Sequence, residues 1–366
     1  MFNFANWREK VFRGFYWPLF YTAVIISLVG VAAIFSASRG LPGDYALKQL
    51  AWLGVSILTL MAVVRIGYRT LLGYSYAFYA ISIALLLVVI ILGDMHLGAQ
   101  RWIEIGPFAL QPSEFAKIAV ILTLAQYLGE RARNRYQTKR FLVAFILVSF
   151  PMIFILKQPD LGTTLIFIPI LFCILFLWGV RLRYLVVTSL FALTSFPVFW
   201  ALLKGYQKRR LLVFLNPNVD PLGAGYTAIQ SKIAVGAGQF FGKGFLQGTQ
   251  NRLRFLPEHH TDFIFCVIAE EWGFVGSCLI LMLFALLFIR MIRVIERTTD
   301  TRARLITAGV VSMVFFQVVI NIGMTVGLMP ITGLPLPFVS YGGSSLVTMF
   351  IAVGLLISIY KDRSIF

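Results

Sequence analysis

Apolar residues fill this chain in ten stretches, at about 17–36, 47–66, 73–93, 112–129, 141–157, 162–179, 184–203, 264–290, 305–328 and 339–360. Each approaches the ~20 residues an α-helix needs to cross a hydrocarbon core about 30 Å thick. The pattern predicts an all-α polytopic membrane protein of about ten transmembrane helices. Its first run is too long for the apolar core of a cleaved signal, although Ser36-Ala37-Ser38 superficially resembles a cleavage site, so it reads as an uncleaved span.

Polar connections between the runs are short, with one exception from Lys204 to Thr261. The chain therefore reads as a single integral-membrane domain over 1–366, with a large extracytoplasmic loop, 204–261, between spans seven and eight. The loop holds Leu211–Leu215, Ile229, Phe240, Phe241 and Phe245, interrupted by Gly223, Gly225, Gly236, Gly238, Gly242, Gly244 and Gly248. That texture predicts interfacial or re-entrant helices joined by glycine turns.

Composition agrees, at 59% hydrophobic and 13% charged residues. Of 32 Lys and Arg residues, 19 fall in the connections of one side, in groups that include Arg65 and Arg69, Arg181 and Arg183, and Arg290, Arg293 and Arg297. By the positive-inside rule that side is cytoplasmic. The alternation closes with an even number of spans and both termini in the cytoplasm, which puts loop 204–261 outside. The net charge of +17 is scattered among short loops and serves topology, which argues against a nucleic-acid partner. Cys173, Cys266 and Cys278 all lie in apolar runs without CxxC spacing, so no disulfide or cysteine metal site is implied.

Charge changes the picture in the long loop. Lys204, Lys208, Arg209, Arg210, Lys232, Lys243, Arg252 and Arg254 are opposed there by Asp220 and Glu258 only. Guanidinium forks and ammonium groups suit pyrophosphate or lipid headgroups; plain attraction to anionic membrane lipid is the alternative. Directly after this loop, Asp262 stands at the lip of span eight. A carboxylate beside lipid is a candidate for function, and a helix cap at Thr261-Asp262 is the bland alternative. Span four opens with Pro112 and carries Glu114 and Lys117 three residues apart on one face, a buried pair or the lining of a cavity. Asp160, in the turn Gln158-Pro159-Asp160-Leu161-Gly162, falls on the same side as Asp262, although Pro-Asp-x-Gly is ordinary turn chemistry. Glu270 and Glu271 lie about two turns inside span eight, and at least one should face protein. His259, His260, Glu258 and Asp262 match no standard zinc spacing, whereas a hard divalent cation, Mg²⁺ or Mn²⁺, would need only oxygens.

Seven strings in order carry a resemblance: GAQRW (Gly98–Trp102), QPSEFAKIA (Gln111–Ala119), QPDLGT (Gln158–Thr163), DPLGAGY (Asp220–Tyr226), LPEHHTDFIF (Leu256–Phe265), AEEWGFVG (Ala269–Gly276) and PLPFVSYGGSS (Pro335–Ser345). Together they resemble the SEDS family (shape, elongation, division and sporulation), and within it the elongation branch. The resemblance implies a peptidoglycan glycosyltransferase of the bacterial cytoplasmic membrane. It implies lipid II as substrate, a class B penicillin-binding protein as transpeptidase partner through spans eight and nine, and a place in the elongation machinery. It puts the essential acid at Asp262, cavity residues at Glu114, Lys117 and Asp160, and a loop arginine at Arg210.

Elementary chemistry is compatible with this. Joining lipid-linked sugars needs a base for the attacking hydroxyl and cations for the departing pyrophosphate. Asp262 suits the first task, and Arg209, Arg210, Lys232 or a divalent cation the second. A lipid II flippase or other transporter would use the same buried Glu114–Lys117 pair, though no inverted repeat is evident. A non-catalytic scaffold has no evident use for buried charges.

Overall fold

The computed structural model describes residues 14–39, 43–92, 94–96, 99–105, 108–129, 137–195, 197, 200–201, 203, 205–221, 223–253, 255–256 and 260–363. Helices occupy all ten predicted apolar runs: α1 (Trp17–Ala37), α2 (Tyr45–Ile66), a short α3 (Tyr68–Gly73), α4 (Ser75–Leu92), α5 (Pro112–Gly129), α6 (Gln137–Lys157), α7 (Leu161–Trp178), α8 (Leu182–Thr194), α12 (Ile264–Arg297), α13 (Thr301–Val326) and α14 (Gly343–Arg363). Seven of these, α1, α2, α6, α7, α12, α13 and α14, are long and apolar enough to cross a membrane, among the described residues.

Local chemistry sets several ends. Asp160 caps α7 by accepting from Thr163 N at 3.1 Å, and Gly179 closes that helix in the left-handed region at φ 83°. Asp300 caps α13 through Arg302 N at 3.0 Å, and Gly327 ends it at φ 81°. Helices α5, α7, α13 and α14 form the centre: α13 packs on α7 and α5, α14 on α2, and α12 on α1 and α13. Leu58, Ile91, Phe191 and Met282 face outward, as lipid contact requires.

The structure refines three expectations. The predicted run 184–203 begins as α8, which a turn at Ser195 closes after Thr194, and helix recurs at Pro197, Trp200 and Ala201. Span eight runs past residue 290 to Arg297, so Arg290, Arg293 and Arg297 ride on the helix itself instead of a connecting loop. A small antiparallel sheet, β1 (Asp94–His96), β2 (Ala99–Ile105) and β3 (Phe108–Leu110), also departs from an all-α description. It is pinned to α14, where Ser344 Oγ accepts from Gln111 N at 3.1 Å and donates to Ala109 O at 3.0 Å.

The long connection folds as α9 (Gly205–Leu215), a 3₁₀ turn (Pro217–Val219), α10 (Ala224–Ala237) and α11 (Thr249–Arg252). Its glycine-rich part, residues 238–248, enters a break in α12. At Gly273 that helix adopts φ 66°, ψ −158°, freeing backbone groups on both sides. The loop takes them up: Lys243 N and Gly244 N donate to Glu270 O and Glu271 O at 3.0 Å each, and Phe274 N and Val275 N donate to Gln239 O and Phe240 O at 2.9 and 3.1 Å. Every orphaned group of the kink so named is thereby paired, which is what a helix break in lipid demands. At ~1.5 Å per residue the break lies about 14 Å along the helix from Ile264. Phe240, Phe241 and Phe274 cluster on its outer face and are exposed.

Glycine is compulsory here. A Cβ on Gly242, at φ 81°, would sit 2.2 Å from Glu271 O and 2.6 Å from Gly273 N. Gly242→Ala is expected to destabilise the protein by about 2–4 kcal/mol, combining left-handed strain with backbone overlap, read as a lower thermal midpoint of the purified protein. Gly236→Ala, where nothing lies within 4 Å, is the matched control and leaves the midpoint unchanged.

Candidate active site

Asp262 lies in a turn immediately before α12. The capping position belongs to Phe263, and no side chain caps the helix. The helix-cap alternative for Thr261-Asp262 therefore fails: the Asp262 side chain does not cap α12. Its backbone is lashed from two sides. Asn321 Nδ2 on α13 donates to Asp262 O at 2.9 Å and to Leu334 O at 2.7 Å. Ser340 Oγ donates to Thr261 O at 2.6 Å while accepting from Leu336 N at 2.7 Å, and Tyr341 N donates to His260 O at 3.0 Å. The segment 332–342, a hydroxyl- and proline-rich string in the sequence, is thus the bracket that holds 260–262.

Gly333 marks the centre of the site. The position its Cβ would occupy is 3.2 Å from Asp262 Oδ2 and 4.0 Å from Arg210 Nη1, and its φ is 75°. Carboxylate and guanidinium converge on a place where the bracket has no side chain. Arg210 comes from α9. Arg209, one residue earlier, is turned about 100° around the helix and pairs with Asp220 at 4.0 Å on an exposed face. Lys232 on α10 lies across Gly327, its Nζ 2.7 Å from that glycine's Cβ position, at the C-terminal end of α13 where a cation is favoured. Of the three cations proposed for pyrophosphate, Arg210 is the one brought to Asp262. Lys243 belongs elsewhere: its Nζ donates to Glu270 at 2.7 Å. Arg254, Glu258 and His259 lie outside the described residues.

Asp160 is buried and heavily engaged. Thr163 binds both its oxygens, Gln111 Nε2 lies 3.4 Å from Oδ2, and Arg101 of β2 stands 3.8 Å away. This geometry makes it an anchor joining α7, the sheet and the start of α5. Gly162, next in that turn, packs on Thr332 O and Leu334, so the anchor bears directly on the bracket.

Glu114 and Lys117 form a pair at 2.7 Å with side chains 1% and 0% exposed. Around them on α5 and α13, several buried polar atoms have no partner among the described residues: Glu114 Oε2, Ser113 Oγ, both amide atoms of Gln317 and Asn321 Oδ1. Native proteins satisfy such groups with water or ligand, which favours a polar cavity over a dry structural pair. For a divalent ion the fit is poor: among the described residues no three His, Cys, Asp or Glu converge, and the neighbour of Asp262 is a cation.

Two carboxylates acquired roles that sequence reasoning left open. Glu270 and Glu271 are both buried. Glu270 Oε1 accepts from Lys243 Nζ, Thr249 N and Thr249 Oγ1 at 2.7–2.8 Å. Glu271 accepts from Leu246 N at 3.2 Å and from Ser36 Oγ of α1. The available signal was two acids inside α12 and a lysine, Lys243, between Gly242 and Gly244, and it names no partner.

A family model described as "Cell cycle protein", covering FtsW, RodA and SpoVE, matches residues 15–365. The chain belongs to that family. It is 37% identical to the peptidoglycan glycosyltransferase MrdB of Escherichia coli, over 94% of each chain. It is 35% identical to the peptidoglycan glycosyltransferase RodA of Treponema pallidum, over 96% of this chain and 99% of that one. Its fold matches a chain from a peptidoglycan synthase complex that coordinates polymerization and crosslinking, with TM-score 0.82, 33% identity, and 95% and 98% of the two chains covered. Family, RodA-like character, helical membrane fold and glycosyltransferase class agree with the expectations from sequence.

Proposed function

We propose that this RodA-like chain polymerises lipid II, with Asp262 as general base. The observation that supports it most is the convergence of the Asp262 carboxylate and the Arg210 guanidinium at Gly333. In the reaction, Asp262 takes the proton from the 4-hydroxyl of the acceptor's N-acetylglucosamine. The oxygen attacks C1 of the donor's N-acetylmuramic acid, and the C1–O bond to undecaprenyl pyrophosphate breaks. Single displacement gives inversion and needs no covalent enzyme intermediate. Arg210 offsets the charge that develops on the leaving pyrophosphate, and Lys232 adds to the local positive field.

The same reading places the protein in the bacterial cytoplasmic membrane, both termini cytoplasmic and the active site outward, in the elongation machinery. A class B penicillin-binding protein is the proposed partner, by analogy with the synthase complex whose fold it shares. The test is labelled lipid II given to the purified chain with that partner, products resolved by length on a gel. Long glycan is expected. Lipid II crossing liposome bilayers with no polymer formed would overturn the proposal in favour of transport.

A further inference from the structure

A groove of about 670 Å³ runs between α1 and α2 at the Asp262 end of the bundle, away from the Glu114–Lys117 pair. That volume is in the range that holds an organic ligand, about 300–1,000 Å³. Its floor is Leu28, Val31, Ala32 and Phe35 of α1 with Leu47 and Leu50 of α2. At its mouth stand Arg39, exposed, and Gly43, with Lys48 Nζ 3.9 Å from that glycine's Cβ position. Asp44 is the single acid on the rim among the described residues, so the mouth they form carries net positive charge.

Two contacts tie this groove to the catalytic machinery. Tyr45, which lines it, packs on His260 at 5.0 Å and on Tyr341 at 5.1 Å between ring centroids, so one side chain is wall to the groove and neighbour to the segment ending in Asp262. Phe245 of the glycine-rich loop forms the opposite lip. That lip is fixed by Glu271, which binds Leu246 N and Ser36 Oγ and so staples the loop to α1. The buried acid that the proposed mechanism does not use builds the groove.

We infer that the α1–α2 groove is a second lipid-linked substrate subsite. It receives the polyprenyl chain along Leu28–Phe35, the pyrophosphate at Arg39 and Lys48, and directs the attached sugar past Tyr45 toward Asp262. An aliphatic trough ending in two cations is complementary to a long isoprenoid with an anionic head, and its continuity with His260 sets it apart from a general lipid contact. The inference rests on the lipid-linked glycosyl transfer proposed above.

The test separates binding from turnover. Asp262→Asn protein in nanodiscs is irradiated with a diazirine-bearing long-chain polyprenyl pyrophosphate, and the adducts are mapped by mass spectrometry. Labelling of the α1 and α2 residues of the groove and of the Phe245 peptide is expected, displaced by excess lipid II and not by phosphatidylglycerol. Adducts confined to other helices, or equal displacement by phosphatidylglycerol, would overturn the subsite. In the otherwise native protein, Arg39→Gln with Lys48→Gln is expected to raise KM roughly tenfold, with kcat within about twofold, as lost charge-assisted contacts to ground and transition state alike predict. Ala32→Trp, which fills the trough, does the same without touching charge. Unchanged KM in both variants overturns the subsite while polymerisation by the native protein still stands. Loss of all polymerisation in the native protein would instead sink the glycosyl-transfer reading, and the labelling arm would still decide the groove.

Discussion

Asp262→Asn is expected to lower the polymerisation rate by about 100- to 10,000-fold, the usual worth of a positioned general base, with KM little changed. The substitution is nearly isosteric, and the interactions that fix this turn use backbone atoms: Asn321 binds the carbonyl of residue 262, Ser340 that of 261, and Tyr341 that of 260. The turn therefore survives the change, and a thermal midpoint close to the native value should accompany the lost activity. Asn321→Leu provides the complementary result. It removes the amide that joins 262 to 334 and should reduce activity while leaving the carboxylate intact, with partial loss of stability from two stranded carbonyls. Glycan made at the native rate by an equally folded Asp262→Asn protein would end the assignment of this residue as base.

The legible part of the molecule was that written in local periodicity and in solvent. Each of the ten apolar runs holds a helix because lipid imposes a length and a polarity on what crosses it. Asp262 stood out because an acid at a lipid boundary needs a reason. What stayed hidden depends on partners far away in sequence. The string AEEWGFVG reads as uninterrupted helix, yet Gly273 breaks it, and the break is stable only because residues 239–244 supply its missing backbone partners. Lys243 counts as free cationic charge until its contact with Glu270, 27 residues on, is known. Arg209 and Arg210 are indistinguishable as letters, and the turn of α9 sends one to Asp220 and the other toward Gly333. The sheet at 94–110 has strands of three and seven residues, too short and mixed in polarity to announce themselves.

The second large effect concerns the buried pair on α5. Lys117→Met should destabilise the protein by about 3–5 kcal/mol, because it strands Glu114 as an uncompensated carboxylate in an interior where its side chain is 1% exposed. The partner change tells stability from function. A double variant, Glu114→Gln with Lys117→Met, removes both charges and keeps the volume, so it should recover most of the thermal midpoint, since a buried ion pair contributes little net stability against neutral groups of similar shape. Polymerisation should stay low in that double variant. Glu114 Oε2 and the Gln317 amide, without partners among the described residues, mark this region as one built for polar contents, and a neutral filling cannot reproduce its field. Full activity in the stable double variant would reduce the pair to a structural contact and leave the chemistry to the residues around Gly333.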